Sequence, residues 1–137
     1  MKSPEAAIRE LIITTPPTSQ TLGTGVYPLV APTSADYPFA IYRRTGVQRE
    51  ATFTGPMGTP NVSMDLTVLA VTYEEAREAA NQCRELLDNY SGVVGDVILN
   101  QVVVDNEQDD FIQLEGTELP PSYSVTLSLE IIWYERN

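Results

Sequence analysis

The residues able to do chemistry are few, and their spacing fits no familiar reaction. The densest group is Asp105, Glu107, Asp109, Asp110, Glu115 and Glu118. Carboxylate oxygens are the ligands that calcium and magnesium take. If Asp105 were the first position of an EF-hand loop, Asp110 would stand where that loop needs glycine for its turn. The group therefore reads as a solvated acidic loop and not as a cation site. Cys83 is the only cysteine, it falls on the apolar stripe of a predicted helix, and the chain has no histidine to activate it. It reads as a small buried hydrophobe. The lack of histidine also removes Ser–His pairing and the commonest zinc ligand, and no GxSxG occurs. The run Thr54 to Gly58 lacks the lysine and the following helix of a phosphate loop, and Leu22 to Gly25 is too short for a dinucleotide fingerprint. No catalytic residue, cofactor site or metal site is assigned.

A different kind of chemistry is available around residue 45. Arg43, Arg44 and Arg49 are three of only eight cations, and Glu50 lies beside them. Arginine is favoured at contacts between subunits because its planar fork matches carboxylates. The same residues could equally solubilise the end of a strand. Phe53 and Met57 sit in the adjoining loop. Exposed, they would mark an interaction site; folded back, they would cover a sheet edge.

The elements that must position these groups follow from pattern. Pro4 suits the first position of a helix, Glu5 favours the positive end of its dipole, and Ala7, Ile8, Leu11 and Ile12 share one face. A Thr/Ser/Pro/Gly-rich connector over 16–36 contains Val26 to Val30, which Pro28 restricts to a short edge strand. A strand is predicted over Tyr37–Arg44 and a second over Asn61–Val71, forming an antiparallel hairpin with an extended tip from Thr45 to Pro60. Thr72 to Glu75 is a capping box that opens an amphipathic helix bearing Ala76, Ala79, Ala80, Cys83, Leu86, Leu87 and Tyr90, with Ser91-Gly92 as its stop. Strands are expected over 95–105 and 123–134, separated by a polar connector. The order α-β-β-α-β-β predicts an α+β fold. Its expected form is one domain over residues 1–137, a four-stranded, mainly antiparallel sheet with helices packed on one face.

The 137 residues suffice to bury a core without disulfide or metal. The net charge of -11 repels phosphate, so nucleic acid and anionic membranes are not expected partners. The N-terminus has no apolar core of signal-peptide type, and no stretch approaches the roughly 20 apolar residues of a membrane helix. The expected location is the cytoplasm or a particle assembled there.

The stretch from Tyr37 to Trp133 resembles the tail terminator (tail completion) proteins of long-tailed bacteriophages. The features that carry the likeness are the opening helix over 4–13, the proline-marked strand from Tyr37 to Tyr42, and the apolar strand Met64 to Val71 after a long loop. The Ala-rich helix from Tyr73 to Leu87 and the closing strand from Tyr123 to Trp133 complete them. The resemblance implies a structural protein with no catalytic residues. It implies a ring, typically of six subunits, on the head-proximal end of the tail tube. Such a ring stops tube growth and meets the head-completion or connector proteins in the virion. Arg43, Arg44, Arg49, Glu50, Phe53 and Met57 are then the candidate subunit interface. Other readings are another head-tail joining or tail tube protein, a small acyl-thioester-type enzyme, or a small-ligand regulatory module. The enzyme would need a carboxylate near the helix on its inner side, whereas the carboxylates predicted there all lie on the polar face.

Overall fold

A computed structural model describes residues 4–32, 37–48, 51–52, 55–56, 61–95, 97–112 and 122–135. Helix α1 spans Pro4–Thr14 and buries Ala7, Ile8, Leu11 and Ile12, the face expected from their spacing. A second short helix, α2 (Thr18–Leu22), lies in what the composition suggested was plain connector. Thr18 makes the turn possible: its hydroxyl donates to the carbonyls of Ile12 (2.9 Å) and Thr15 (2.7 Å), tying α2 to the end of α1. Strand β1 (Val26–Pro28) is the edge strand that Pro28 allows, and it runs parallel to β2 (Phe39–Gln48).

Strand β2 pairs antiparallel with β5 (Asn61–Ala70) through the register Arg43↔Asp65. A bulge lies between Arg44 and Gly46. The extended tip of this hairpin carries a two-stranded ribbon, β3 (Ala51–Thr52) against β4 (Gly55–Pro56). Helix α3 (Tyr73–Leu87) is opened by Thr72, whose hydroxyl accepts from the Glu75 amide at 3.2 Å. It ends at Leu87, not at Ser91-Gly92. Asn89 adopts a φ of 62°, a left-handed conformation that asparagine tolerates better than most residues. The chain then reverses into β6 (Tyr90–Val94), which pairs with β7 (Val97–Ile112). The last strand is β8 (Ser122–Glu135).

The main sheet has six strands, not the four expected, in the order β1-β2-β5-β8-β7-β6. It is mixed: the β1–β2 pairing is parallel and the other four pairings are antiparallel. The two additional strands are edge strands of three and five residues: β1, which the patch at Val26 to Val30 allowed outside the four-stranded sheet, and β6, which is too short to show a period in sequence. Strand β7 also runs on through residue 112, so residues 106–112 are strand and not connector.

Helix α3 packs on β5, β8 and β7. Helix α1 touches α3 and also β1, β2, β6 and β7, so it meets strands from both ends of the sheet order. The sheet is thus curled around one core, with α1 across its mouth. Met64, Leu66, Leu127, Leu129 and Ile131 are almost completely buried there, with Ile8 and Ile12 from α1 and Cys83 and Leu87 from α3. The opposite face alternates to polar residues that pair across strands. The Ser63 hydroxyl donates to Glu130 at 2.6 Å, Thr67 and Thr126 hydroxyls lie 3.0 Å apart, and Ser128 donates to Asp65 at 3.1 Å. These pairs carry the polar rows that a solvated sheet face needs.

Candidate assembly surface

The arginines singled out in sequence separate on the two faces of β2. Residues opposite one another in a ladder share a face. Arg44 lies opposite Met64, which is buried, and so points inward toward α1. There its guanidinium pairs with the Glu5 carboxylate, which is almost wholly buried. That hydrogen bond holds the Arg44 pKa above its usual value, against the opposing effect of its own desolvation. Arg44 therefore serves the fold by fixing the first turn of α1 to the sheet. Arg43 lies opposite Asp65 on the outer face and is exposed. Among the described residues it has no ion-pair partner. Arg49, Glu50, Phe53 and Met57 lie outside the described residues.

Beside Arg43 is a shallow cleft of about 310 Å³ lined by Glu5, Pro28, Leu29, Tyr42, Arg43 and Arg44. Leu29, which lines it, and the next residue, Val30, are 69% and 76% exposed, which is unusual for two adjacent large aliphatics. Leu29 is held there by its amide, which donates to the Tyr42 carbonyl at 2.9 Å. Burial pushes the Tyr42 phenol up, so it stays neutral beneath them.

At the other side of the sheet, the acidic cluster is not a solvated loop. Asp105, Glu107, Asp109 and Asp110 belong to β7. Glu107 and Asp109 lie opposite Leu127 and Val125 and so face the side that α3 covers. Arg77 of α3 bridges both, at 3.3 Å to Glu107 and 3.0 Å to Asp109, and Arg84 reaches Glu107 at 3.3 Å. The Tyr73 hydroxyl donates to Asp109 at 2.7 Å, and that bond raises the tyrosine pKa. Nothing in the sequence reading pointed to this strap. The signal that could have found it was the i, i+2 spacing of Glu107 and Asp109, which puts both on one face of a strand. Glu115 and Glu118 lie outside the described residues. Phe111 at the end of β7 is 45% exposed and packs on Tyr123, which also meets Tyr73.

No group of three or more metal-ligating side chains occurs among the described residues. Cys83 is fully buried, and burial pushes its thiol up to about 12, far from a reactive thiolate. Glu74, Glu75, Glu78 and Glu85 of α3 are exposed on the side away from the core.

Residues 6–118 match the family model described as tail completion protein gp17. The chain belongs to this tail completion family. It is accordingly a structural protein of the phage tail, located in the virion. No helix among the described residues is long and apolar enough to cross a membrane. A comparison with curated proteins gives no match. Among solved structures, a chain of "Virion of native gene transfer agent (GTA) particle" superposes with a TM-score of 0.75 at 15% identity, covering 96% of this chain and 95% of that one. At that identity the likeness is one of fold. It extends over nearly the whole of this tail completion chain.

Proposed function

We propose that this tail completion protein forms a ring on the head-proximal end of the tail tube, stops tube growth there and presents a surface to the head-completion or connector protein. The family match over residues 6–118 carries this reading. The virion source of the similar fold and the exposed Leu29–Val30 and Phe111 patches at opposite sides of the sheet support it. A protein that ends a polymer must bind the polymer's end and must not offer the same end again. Two different contact surfaces are what such a role needs.

The test uses purified tail tubes and the full chain. Addition during tube polymerisation should shorten the tubes, and electron microscopy should show extra density at one end only. Tubes that keep their length and carry no terminal density would sink the reading. Density along the tube wall would instead favour a tube component.

A further inference from the structure

The main sheet has two stretches of open edge. On one side, β1 covers β2 only at Ala40, Ile41 and Tyr42, so from Arg43 onward β2 has no neighbouring strand among the described residues. On the other side, β6 covers β7 only from Val97 to Val102. The Val104 amide is met by the Asp88 side chain at 3.1 Å, and from Asp105 to Phe111 β7 has no outer strand among the described residues. Open edges carry unpaired amides and carbonyls, and these recruit a further strand.

The two edges differ in charge. The β2 edge carries Arg43, exposed and without a described ion-pair partner, next to the exposed Leu29 and Val30. The β7 edge carries Asp105, Glu107, Asp109 and Asp110 with the exposed Phe111. Arg77 and Arg84 engage Glu107 and Asp109, while Asp105 and Asp110 have no arginine among the described residues. Joining like edges about a two-fold axis would set acid against acid or arginine against arginine. Joining unlike edges sets arginine and aliphatic surface against carboxylates and an aromatic ring.

Strand direction agrees. From β2 through β5 and β8 to β7 each neighbour is antiparallel, so β2 and β7 run in opposite directions. A second copy placed beside β7 by rotation brings its β2 in antiparallel, and the up-down alternation continues without a break. The ladder row Arg43–Asp65–Ser128–Asn106 runs across the sheet. Because β2 and β7 run in opposite directions, this row sets the covered part of β2 level with the open part of β7, so the two open stretches meet only when the next copy is staggered along the strands, which brings its Arg43 to the Asp110–Phe111 end of β7.

We propose that copies of this chain join head to tail by edge-to-edge pairing, the acidic β7 edge of one against the Arg43 edge of β2 in the next. Such a contact is heterologous, and a heterologous contact whose rotation closes generates a ring. The inference rests on the ring reading and names the surfaces that build it.

The test is sedimentation of the full chain at low salt, comparing the unaltered protein, Arg43→Glu, the double variant Asp105→Arg/Asp110→Arg, and an equimolar mixture of the two variants. Each variant alone should associate at least about tenfold more weakly, because its two edges now repel. Melting temperatures should stay unchanged. The mixture should recover association, since each edge again meets its opposite. An isologous contact would leave one of the two variants unimpaired. Variants that associate like the parent, a mixture that fails to recover, or a parent chain that stays monomeric both alone and on tubes would each overturn the proposal. A parent that assembles by this swap rule but ignores tubes would sink the tube reading and leave the edges standing. Tubes capped equally well by the parent and by Arg43→Glu would do the reverse.

Discussion

Cys83 gives a stability test that depends on the fold and not on assembly. Its thiol is fully buried on the small-residue face of α3, and burial raises it from 9.0 to about 12. In the unfolded chain the thiol ionises above pH 9. In the folded chain it stays protonated until about pH 12. Between these values the unfolded state binds fewer protons than the native state, so the slope of unfolding free energy with pH is negative. The contribution is whole below pH 9 and is lost as pH rises toward 12. The slope approaches about 1.4 kcal/mol per pH unit, and the full span amounts to roughly 4 kcal/mol. Tyrosines also titrate in this range, so the clean measurement is a difference. Cys83→Ala removes the group at a cost on the order of 1 kcal/mol at neutral pH, from lost packing partly offset by better helix propensity. Urea unfolding of both proteins from pH 7.5 to 11 should show the gap narrowing above pH 9 and then reversing. Curves that stay parallel to pH 11 would refute the argument that burial alone holds the thiol protonated.

Other consequences are simpler to check. Arg77→Ala breaks the strap to Glu107 and Asp109, but all three side chains are partly exposed, so unfolding by urea should show a loss under about 1 kcal/mol that shrinks in high salt. Thr72→Ala removes the hydroxyl that caps α3 and should cost about 1 kcal/mol, while Thr72→Ser should restore most of it. A larger loss for Arg77→Ala than for Thr72→Ala would mean that the strap carries more of the fold than its exposure indicates.

The long elements were legible because each buries one face with a clear period. The alternation from Val62 to Ala70 and from Val125 to Ile131 buries the residues its spacing predicted, as do Ala76, Ala79, Ala80, Cys83 and Leu87 of the helix stripe, while Leu86 and Tyr123 are partly buried. The short ones were less so. β1 was anticipated only as an edge strand that Pro28 permits, and the five residues of β6, which lie at the predicted end of the helix, were missed because the neighbouring β7 and not their own pattern holds them. The helix end was misplaced because Asn89, not Gly92, takes the left-handed turn. Residues 105–110 looked like a solvated loop because carboxylates are poor strand formers. Their strand state comes from the ladder to β8, with Arg77 and Arg84 of α3 holding Glu107 and Asp109 in place. The arginine pair near residue 44 was found, but only the register with β5 distinguishes Arg44, tied to Glu5, from Arg43, exposed on the outer face.

Strand β8 is last among the strands in sequence, yet it sits between β5 and β7 and pairs with both along nearly their whole length. A ribosome delivers the strands in chain order, so β5 and β7 emerge with an empty place between them. Until residues 122–135 arrive, the two halves of the molecule have no ladder to join them, and the apolar stripe of β5 has no partner on that side. Folding of the sheet is therefore deferred until β8 has been made. The interval before it is when the chain is most open to mispairing with its own kind.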